Sequence, residues 1–442
     1  MNRVAPENPI YETDPLPDRE LGSPSRDLAS PGEASGAVRE SSDFLRRLVT
    51  LDIARWTAAV GSSDTSITKA HRFSAVDAAE RTRKLVRAVP WLLVVPVVAL
   101  LALATTWGRK PGDAVLLAVA IVLAGAVLAS VHHADIVAHR VGEPLGSLIL
   151  AVAVTVIEAG LIVTLMASGG SETDSLARDT VFAAAMITCN GVVGLCLVVS
   201  TLRRHVATFN AEGTATAFAT VITLATVCLV LPAFTTSSPG PTFTPTQLTF
   251  AAIASVVLYA LFVFAQTVRH RDHFLSDEEL ATDDVLDSAP TDRAALVSLV
   301  ALVLSLVAVI GLAKIESPAI EDAVDYFDAP QSAVGVAIAL LVLLPETLAA
   351  YRNARRDRLQ TSFNLAYGSA VASIGLTIPT VALASIWLDG SLVLGLSSLQ
   401  ITLLVLTAIV GALTVLPGRA TLQEGGLHLA IFAAFLVFAL NP

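Results

Sequence analysis

Long, uninterrupted apolar runs constrain this chain more than any other feature of its sequence. Each run of about 18 to 25 residues is long enough, as a helix, to cross a hydrocarbon layer of about 30 Å. The runs are continuous, whereas strands of a membrane barrel alternate apolar and polar residues over about ten positions. With 54% hydrophobic and only 15% charged residues, a chain of 442 residues is too apolar to be soluble. We predict an all-α polytopic membrane protein.

The apolar runs predict about eleven transmembrane helices. The basic residues fall mainly in alternate connections between these helices, as at Arg203 and Arg204 and again from Arg352 to Arg358. Short loops rich in Lys and Arg stay in the cytoplasm. This predicts an inner (plasma) membrane protein with a cytoplasmic N-terminus. The predicted spans are 88–107, 113–131, 145–168, 179–201, 213–234, 247–268, 294–313, 331–351, 361–388, 391–416 and 426–440.

Composition divides the chain into five segments. Residues 1–86 are rich in Pro, Ser and charged residues, and they predict a disordered cytoplasmic tail. An extra N-terminal helix, 87–109, precedes a first repeat, 110–270. An acidic cytoplasmic loop, 271–293, then leads to a second repeat, 294–442. The loop is either a solvated linker or a funnel that concentrates cations by its charge.

Two glutamates, Glu158 and Glu346, lie inside apolar runs that contain no basic residue. An ionisable group near the centre of a membrane span costs about 2.5 to 3.5 kcal/mol on insertion scales, so it is rarely retained without a function. Because no partner charge lies in the runs, the partner must come from solution. We therefore predict that both carboxylates bind transported cations.

The same polar pattern occurs once in each half of the chain. In each half the second of five spans carries the glutamate, and the third carries small and polar residues. Because five is odd, the two halves enter the membrane in opposite directions, as in the inverted repeats of transporters. Pro345 precedes Glu346 directly, and a proline frees a backbone carbonyl one turn earlier.

Two facing carboxylates predict a particular exchange chemistry. A cation such as Ca²⁺ takes six to eight oxygen ligands, and Thr155, Asn190, Ser369 and Ser373 are candidates to add oxygens to those of the glutamates. Two carboxylates in a low dielectric cannot both stay ionised once the cation leaves, so they take up protons. The site is then neutral with one divalent cation or with two protons, which predicts obligatory cation/proton antiport.

A second polar group lies toward the predicted cytoplasmic side. His132, His133 and Asp135 follow the second predicted span, and Glu143 precedes the third. These residues are candidates for ion entry or gating, since histidine titrates near neutral pH. The alternative is an ordinary polar cluster and helix cap at the membrane interface.

Two segments resemble a known family. These are HHADIVAHRVGEPLGSLILAVAVTVIE, residues 132–158, and LLPETLAAYRNARRDRLQTSFNLAYGSAVASIGLTIP, residues 343–379. They resemble the bacterial calcium/proton antiporters of the ChaA type, in the cation/calcium exchanger superfamily. The resemblance extends from about residue 88 to the end of the chain. It implies ten core helices in two inverted repeats plus one N-terminal helix, with ion-binding glutamates at Glu158 and Glu346.

The chain departs from this family in one respect that concerns the ion. The Gly-Asn pair that precedes each glutamate in well-known relatives is absent in both halves here. Exchange of Na⁺ or K⁺ for protons therefore stays open beside Ca²⁺, and a cation channel is a further alternative. An intramembrane enzyme is disfavoured, because no Asp lies deep in a predicted span and no His-Glu-x-x-His motif occurs. We expect no cofactor and no nucleic-acid partner, only cations, protons and the bilayer.

Overall fold

The structure, a computed structural model, describes residues 93–109, 111–142, 145–168, 173–274, 290–326, 330–388 and 391–441. The predicted tail, 1–86, lies outside the described residues, as does most of the predicted acidic loop. The described chain is almost entirely helical, which is the fold class predicted above. In hydrocarbon a helix satisfies every backbone N–H and C=O within its own segment, so apolar runs of this length fold as helices.

The first half begins with a short apolar helix, α1 (Leu93–Thr106). Two long helices follow, α2 (Asp113–Val141) and α3 (Leu145–Met166). The next span consists of α4 (Leu176–Met186), a π-helical turn (Ile187–Val192) that we call the first π-turn, and α5 (Val193–Arg204). A three-residue strand, β1 (Val206–Thr208), then leads to α6 (Ala211–Ala225) and α7 (Pro245–Phe264), each of which is extended by a further π-helical segment.

The second half repeats this order. It begins with α8 (Asp292–Tyr326) and α9 (Gln331–Ala354). Its third span consists of α10 (Leu359–Ala372), a second π-turn (Ser373–Thr377) and α11 (Ile378–Ala384). The half ends with α12 (Ser398–Val415), β2 (Arg419–Thr421) and α13 (Leu422–Leu440). The two short strands pair antiparallel, with Ala207 opposite Ala420.

Ten helices in the described part of the chain are long and apolar enough to cross a membrane. The remaining predicted span, 88–107, contains the shorter helix α1. Two helices continue well beyond the predicted spans, because α2 runs to Val141 rather than to residue 131 and α8 runs to Tyr326 rather than to residue 313. The apolar run of a helix ends at the edge of the hydrocarbon layer. The helix itself can continue into the polar interface, because its backbone hydrogen bonds do not require apolar side chains.

The third span of each half forms the centre of the molecule. In the most apolar stretch of Leu176–Arg204, 83% of the residues are buried, and in that of Leu359–Ala384 the share is 67%, against 22% for Pro245–Arg269. Large side chains such as Phe250, Ile253 and Leu413 are exposed on peripheral helices. Exposed apolar faces of this kind fit a lipid surround. The glutamate-bearing helices pack against this centre.

Each glutamate helix contacts the π-turn of the other half. Helix α3 packs on the second π-turn, and α9 packs on the first. The long helices α2 and α8 pack against each other, and Arg140 near the end of α2 donates a hydrogen bond to Asp292 at the start of α8. Because each glutamate helix packs on the π-turn of the other half, the site residues of the two halves lie together at the centre of the bundle.

Candidate functional site

Glu158 is held by two hydroxyl groups from the other half of the chain. It lies on α3 and is 3% exposed. Its Oε1 accepts a hydrogen bond of 2.6 Å from the Ser373 hydroxyl, and its Oε2 accepts one of 3.2 Å from the Thr377 hydroxyl. These donors are the first and last residues of the second π-turn. The predicted ligand Ser373 therefore contacts a predicted binding carboxylate directly.

The Glu346 carboxylate has fewer hydrogen-bond partners than that of Glu158. It lies on α9 directly after Pro345, and its Oε2 is shielded from solvent without a hydrogen-bond partner in the described part of the chain. The helices of the two glutamates, α3 and α9, contact each other, so two charged carboxylates here would repel. A buried carboxylate oxygen without a partner is costly, so this oxygen is available to a proton or a cation.

No other charged group neutralises this pair within the described residues. The ion pairs found there involve neither glutamate. The same residues contain no group of three or more His, Cys, Asp or Glu side chains placed to hold a metal ion. A cation at the two glutamates would therefore need hydroxyl, carbonyl or water oxygens to complete its coordination.

The other predicted ligands lie at different places around this pair. Thr155 is 5% exposed and lies one turn before Glu158 on α3. Ser369 is half-buried and lies one turn before Ser373 on α10. Asn190 is fully buried in the first π-turn, but its hydrogen bonds run to Thr407 and His428 on the last two helices. The structure thus brings Ser373 to the Glu158 carboxylate and directs the Asn190 amide toward the last two helices.

The predicted entry residues form part of helix α2 rather than following it. His133 is 2% exposed, and its ring centroid lies 5.8 Å from that of half-buried His132. Asp135 pairs with exposed His139 at 3.3 Å. Ala134 belongs to the same small hydrophobic cluster as Ala153, which lies five residues before Glu158 on α3. Glu143 lies outside the described residues.

Three buried polar residues were missed in the sequence. Thr377 lies four residues after Ser373, and that spacing was its only signal. Glu316 is 5% exposed on α8, with an Oε1 that lacks a hydrogen-bond partner in the described chain. It was missed because the predicted span ended at residue 313. His428 is fully buried in α13, inside an apolar run that was interpreted only as a span.

The Glu158 hydroxyl contacts lead to a testable expectation. Ser373→Ala removes the shorter bond and is expected to raise the apparent KM for the transported cation about two- to tenfold, since one hydrogen bond contributes a net free energy of about 0.5 to 1.5 kcal/mol. Thr377→Val removes the longer bond and should have a smaller effect. The measurement is the initial transport rate against cation concentration in vesicles. An unchanged KM in Ser373→Ala would show that this hydroxyl has no part in the site.

Comparison with known proteins gives concordant matches in sequence and in fold. The sequence pattern of the family described as "Sodium/calcium exchanger protein" matches residues 113–268 and 297–441. A protein of Sinorhizobium fredii, y4hA, which is named as an ionic transporter, is 48% identical over 320 residues, covering 72% of this chain and 87% of that protein. The sodium-potassium/proton antiporter ChaA of Escherichia coli is 32% identical over 351 residues, covering 78% of this chain and 94% of ChaA.

Two solved structures share the fold. Native YfkE superposes with a TM-score of 0.59 at 15% identity, covering 79% of this chain and 98% of YfkE. The H⁺/Ca²⁺ exchanger CAX superposes with a TM-score of 0.59 at 19% identity, covering 78% of this chain and 87% of CAX. At these identities the likeness concerns the arrangement of helices.

Proposed function

Because the chain belongs to the sodium/calcium exchanger family, a family of cation transporters and not of enzymes, we propose that it exchanges a cation for protons across the membrane. Ca²⁺ is the proposed cation, with Glu158 and Glu346 as the shared binding and proton-coupling site. Cation export is driven by protons that enter along their gradient. The proposed location is the inner membrane, with the N-terminus in the cytoplasm.

One observation carries this proposal. Two glutamates, one from each half, lie on helices that contact each other. Glu158 is buried, and Glu346 is partly buried with one solvent-shielded oxygen that has no hydrogen-bond partner in the described chain. Leaving two such charges uncompensated costs several kcal/mol per ion in a low-dielectric interior. The pair is therefore stable only when protons or a cation compensate it.

Charge balance sets the stoichiometry of the proposed cycle. One Ca²⁺ carries two positive charges and replaces two protons, one from each carboxyl group. The site is neutral in both loaded states and crosses between the two sides of the membrane in either. The empty site carries two unpaired charges and crosses poorly, which couples the two flows. Exchange of one Ca²⁺ for two protons moves no net charge.

The contacts between the halves support an alternating-access mechanism. Glu158 binds the second π-turn through hydroxyl groups, while Glu346 follows a proline on a helix that packs against the first π-turn. Proline removes one backbone hydrogen bond from α9, so this helix can bend near its carboxylate. Movement of α3 and α9 against the two π-turns would open the site to one side at a time.

A second candidate is exchange of Na⁺ or K⁺ for protons. Its support is the likeness to ChaA of Escherichia coli, a sodium-potassium/proton antiporter that is 32% identical to this chain. The side chains at the pair fit this candidate too, since a monovalent cation on one carboxylate and a proton on the other also give a neutral site. The two candidates differ in the number of protons exchanged per cation.

Ion uptake into proteoliposomes with an imposed pH gradient tests the proposal. We expect Ca²⁺ to accumulate on the acidic side, and we expect a protonophore that dissipates the gradient to stop this accumulation. Clamping the membrane potential with K⁺ and valinomycin should leave the Ca²⁺ rate unchanged, because one Ca²⁺ for two protons is electrically neutral. Accumulation of Na⁺ or K⁺ in place of Ca²⁺ would favour the second candidate. Cation flow that follows the membrane potential and ignores the pH gradient would indicate a channel and contradict antiport.

A further inference from the structure

A buried histidine on the last helix closes a cluster of hydrogen bonds that includes neither glutamate. His428 is fully buried on α13. Its Nδ1 lies 3.1 Å from Asn190 Oδ1, and its Nε2 lies 3.1 Å from the Thr414 hydroxyl. Asn190 in turn donates from Nδ2 to the Thr407 hydroxyl at 2.9 Å. We call these four residues, Asn190, Thr407, Thr414 and His428, the amide clamp.

One arrangement of protons satisfies every side-chain hydrogen bond of the amide clamp. The Thr407 hydroxyl donates to the Leu403 carbonyl at 2.8 Å, so its oxygen is left to accept from Asn190 Nδ2. The other end of the amide, Oδ1, is only an acceptor, and in this arrangement His428 Nδ1 is the donor. Nε2 can then accept from Thr414, whose hydroxyl alternatively donates to the Val410 carbonyl at 2.9 Å.

The amide clamp joins the centre of the bundle to its outer helices. Asn190 belongs to the first π-turn, Thr407 and Thr414 to α12, and His428 to α13. The backbones around it are tightly packed. A Cβ added at Gly194 on α5 would lie 3.0 Å from His428 Cβ, and one added at Gly425 on α13 would lie 3.0 Å from the backbone nitrogen of Val198. His428 therefore sits in a fixed place, and its ring determines where the Asn190 amide points.

The two π-turns form side-chain hydrogen bonds with different partners. The second π-turn donates hydroxyl hydrogen bonds to Glu158, while the first contacts α9, the helix of Glu346, and turns its amide toward α12 and α13. The amide clamp is thus the polar anchor of the π-turn beside the less satisfied glutamate.

We propose that His428 is a positioning residue for transport. By donating from Nδ1 it fixes the Asn190 amide, and with it the first π-turn against which α9 moves. Because His428 is not hydrogen-bonded to either glutamate, its loss should slow the cycle without weakening cation binding. The inference rests on the proposed transport function for its readout, but it does not depend on which cation is exchanged.

Three substitutions at position 428 separate the two ring nitrogens. In His428→Asn the amide nitrogen can take the place of Nδ1 and keep the bond to Asn190. In His428→Gln the longer amide reaches toward Thr414 instead, and His428→Leu removes both bonds. We expect His428→Asn to keep a maximal rate within about twofold of the wild type. The other two variants should be about tenfold slower with KM unchanged, as for the loss of a buried hydrogen bond that leaves its partner unsatisfied.

Substitutions of the partners repeat this comparison without changing the histidine. Thr407→Val removes the other anchor of the Asn190 amide and should resemble His428→Gln, whereas Thr414→Val should resemble His428→Asn. Size-exclusion elution and the thermal midpoint confirm that each variant is folded. The proposal is overturned if His428→Asn is as slow as His428→Leu, if His428→Gln and Thr407→Val keep the wild-type rate, or if only KM changes. A wild type that moves cations without proton coupling would contradict the proposed function and leave this comparison of rates valid.

Discussion

Glu346→Gln and Glu158→Gln are each expected to lower cation transport driven by a pH gradient by about a hundredfold or more. Each substitution keeps the size of the side chain and removes one of the two negative charges that a cation would compensate. With one carboxylate gone, a bound divalent cation keeps an uncompensated positive charge. Removing one partner of a buried pair of opposite charges costs about 3 to 5 kcal/mol, and each 1.4 kcal/mol corresponds to a factor of ten. The measurement is gradient-driven uptake of Ca²⁺, Na⁺ and K⁺ into proteoliposomes.

A matched control is available on the same chain. Glu212 lies in the first turn of α6, its side chain is 75% exposed, and its carboxylate pairs with His273. Glu212→Gln makes the same chemical change away from the site and should transport at the wild-type rate, since exposed ion pairs contribute little. If Glu346→Gln retained more than a tenth of the wild-type rate, the two-carboxylate mechanism would be wrong.

The two substitutions should differ in their effect on stability. Glu158 accepts hydrogen bonds from Ser373 and Thr377, so the amide of Glu158→Gln places a donor against one of those hydroxyl groups. Glu346 has an oxygen without a partner in the described residues, and its amide relieves the repulsion from Glu158. We therefore expect the thermal midpoint of Glu346→Gln to exceed that of Glu158→Gln.

The sequence predicts the membrane fold well because hydrocarbon imposes a simple rule. A segment that crosses it must be helical and apolar for about 20 residues, and that requirement is visible in a single chain. The same rule makes Glu158 and Glu346 conspicuous. At the interface between membrane and water a helix no longer needs to be apolar. The ends of α2 and α8 therefore lie beyond the predicted spans.

Contacts across the two halves were less accessible to prediction. Ser373 was a candidate ligand because a hydroxyl on a third span supplies an oxygen, but its bond to a carboxylate 215 positions away depends on how the halves pack. Asn190 was a candidate for the same reason, and its amide instead turns toward Thr407 and His428. A polar residue in an apolar run signals a buried partner, whereas the identity of that partner is a property of the tertiary structure.

Gly335→Ala is expected to destabilise the folded protein by about 1 to 3 kcal/mol, the usual effect of overpacking a close contact. Gly335 lies on α9 where this helix crosses α4. A Cβ there would lie 2.8 Å from the backbone nitrogen of Thr180 and 2.9 Å from the carbonyl carbon of Asp179. Backbone atoms inside a helix cannot rotate away as a side chain can. Alanine favours a helix by about 0.5 to 1 kcal/mol over glycine, and we expect the steric conflict to exceed that gain.

The helix that Gly335 contacts is also fixed by polar bonds. The Asp179 carboxylate accepts hydrogen bonds from Ser175 at 3.0 Å, from Arg178 at 2.9 Å and from Gln400 at 3.0 Å. Because the Gln400 bond joins α4 to α12, α4 cannot move away from an added methyl group without breaking it. The measurement is the thermal midpoint in detergent, which should fall by several degrees. Gly368→Ala on α10 is the control, since a Cβ there meets nothing within 4 Å and should leave the midpoint unchanged or higher. Equal midpoints for the two variants would show that α9 and α4 are not held as closely as the structure places them.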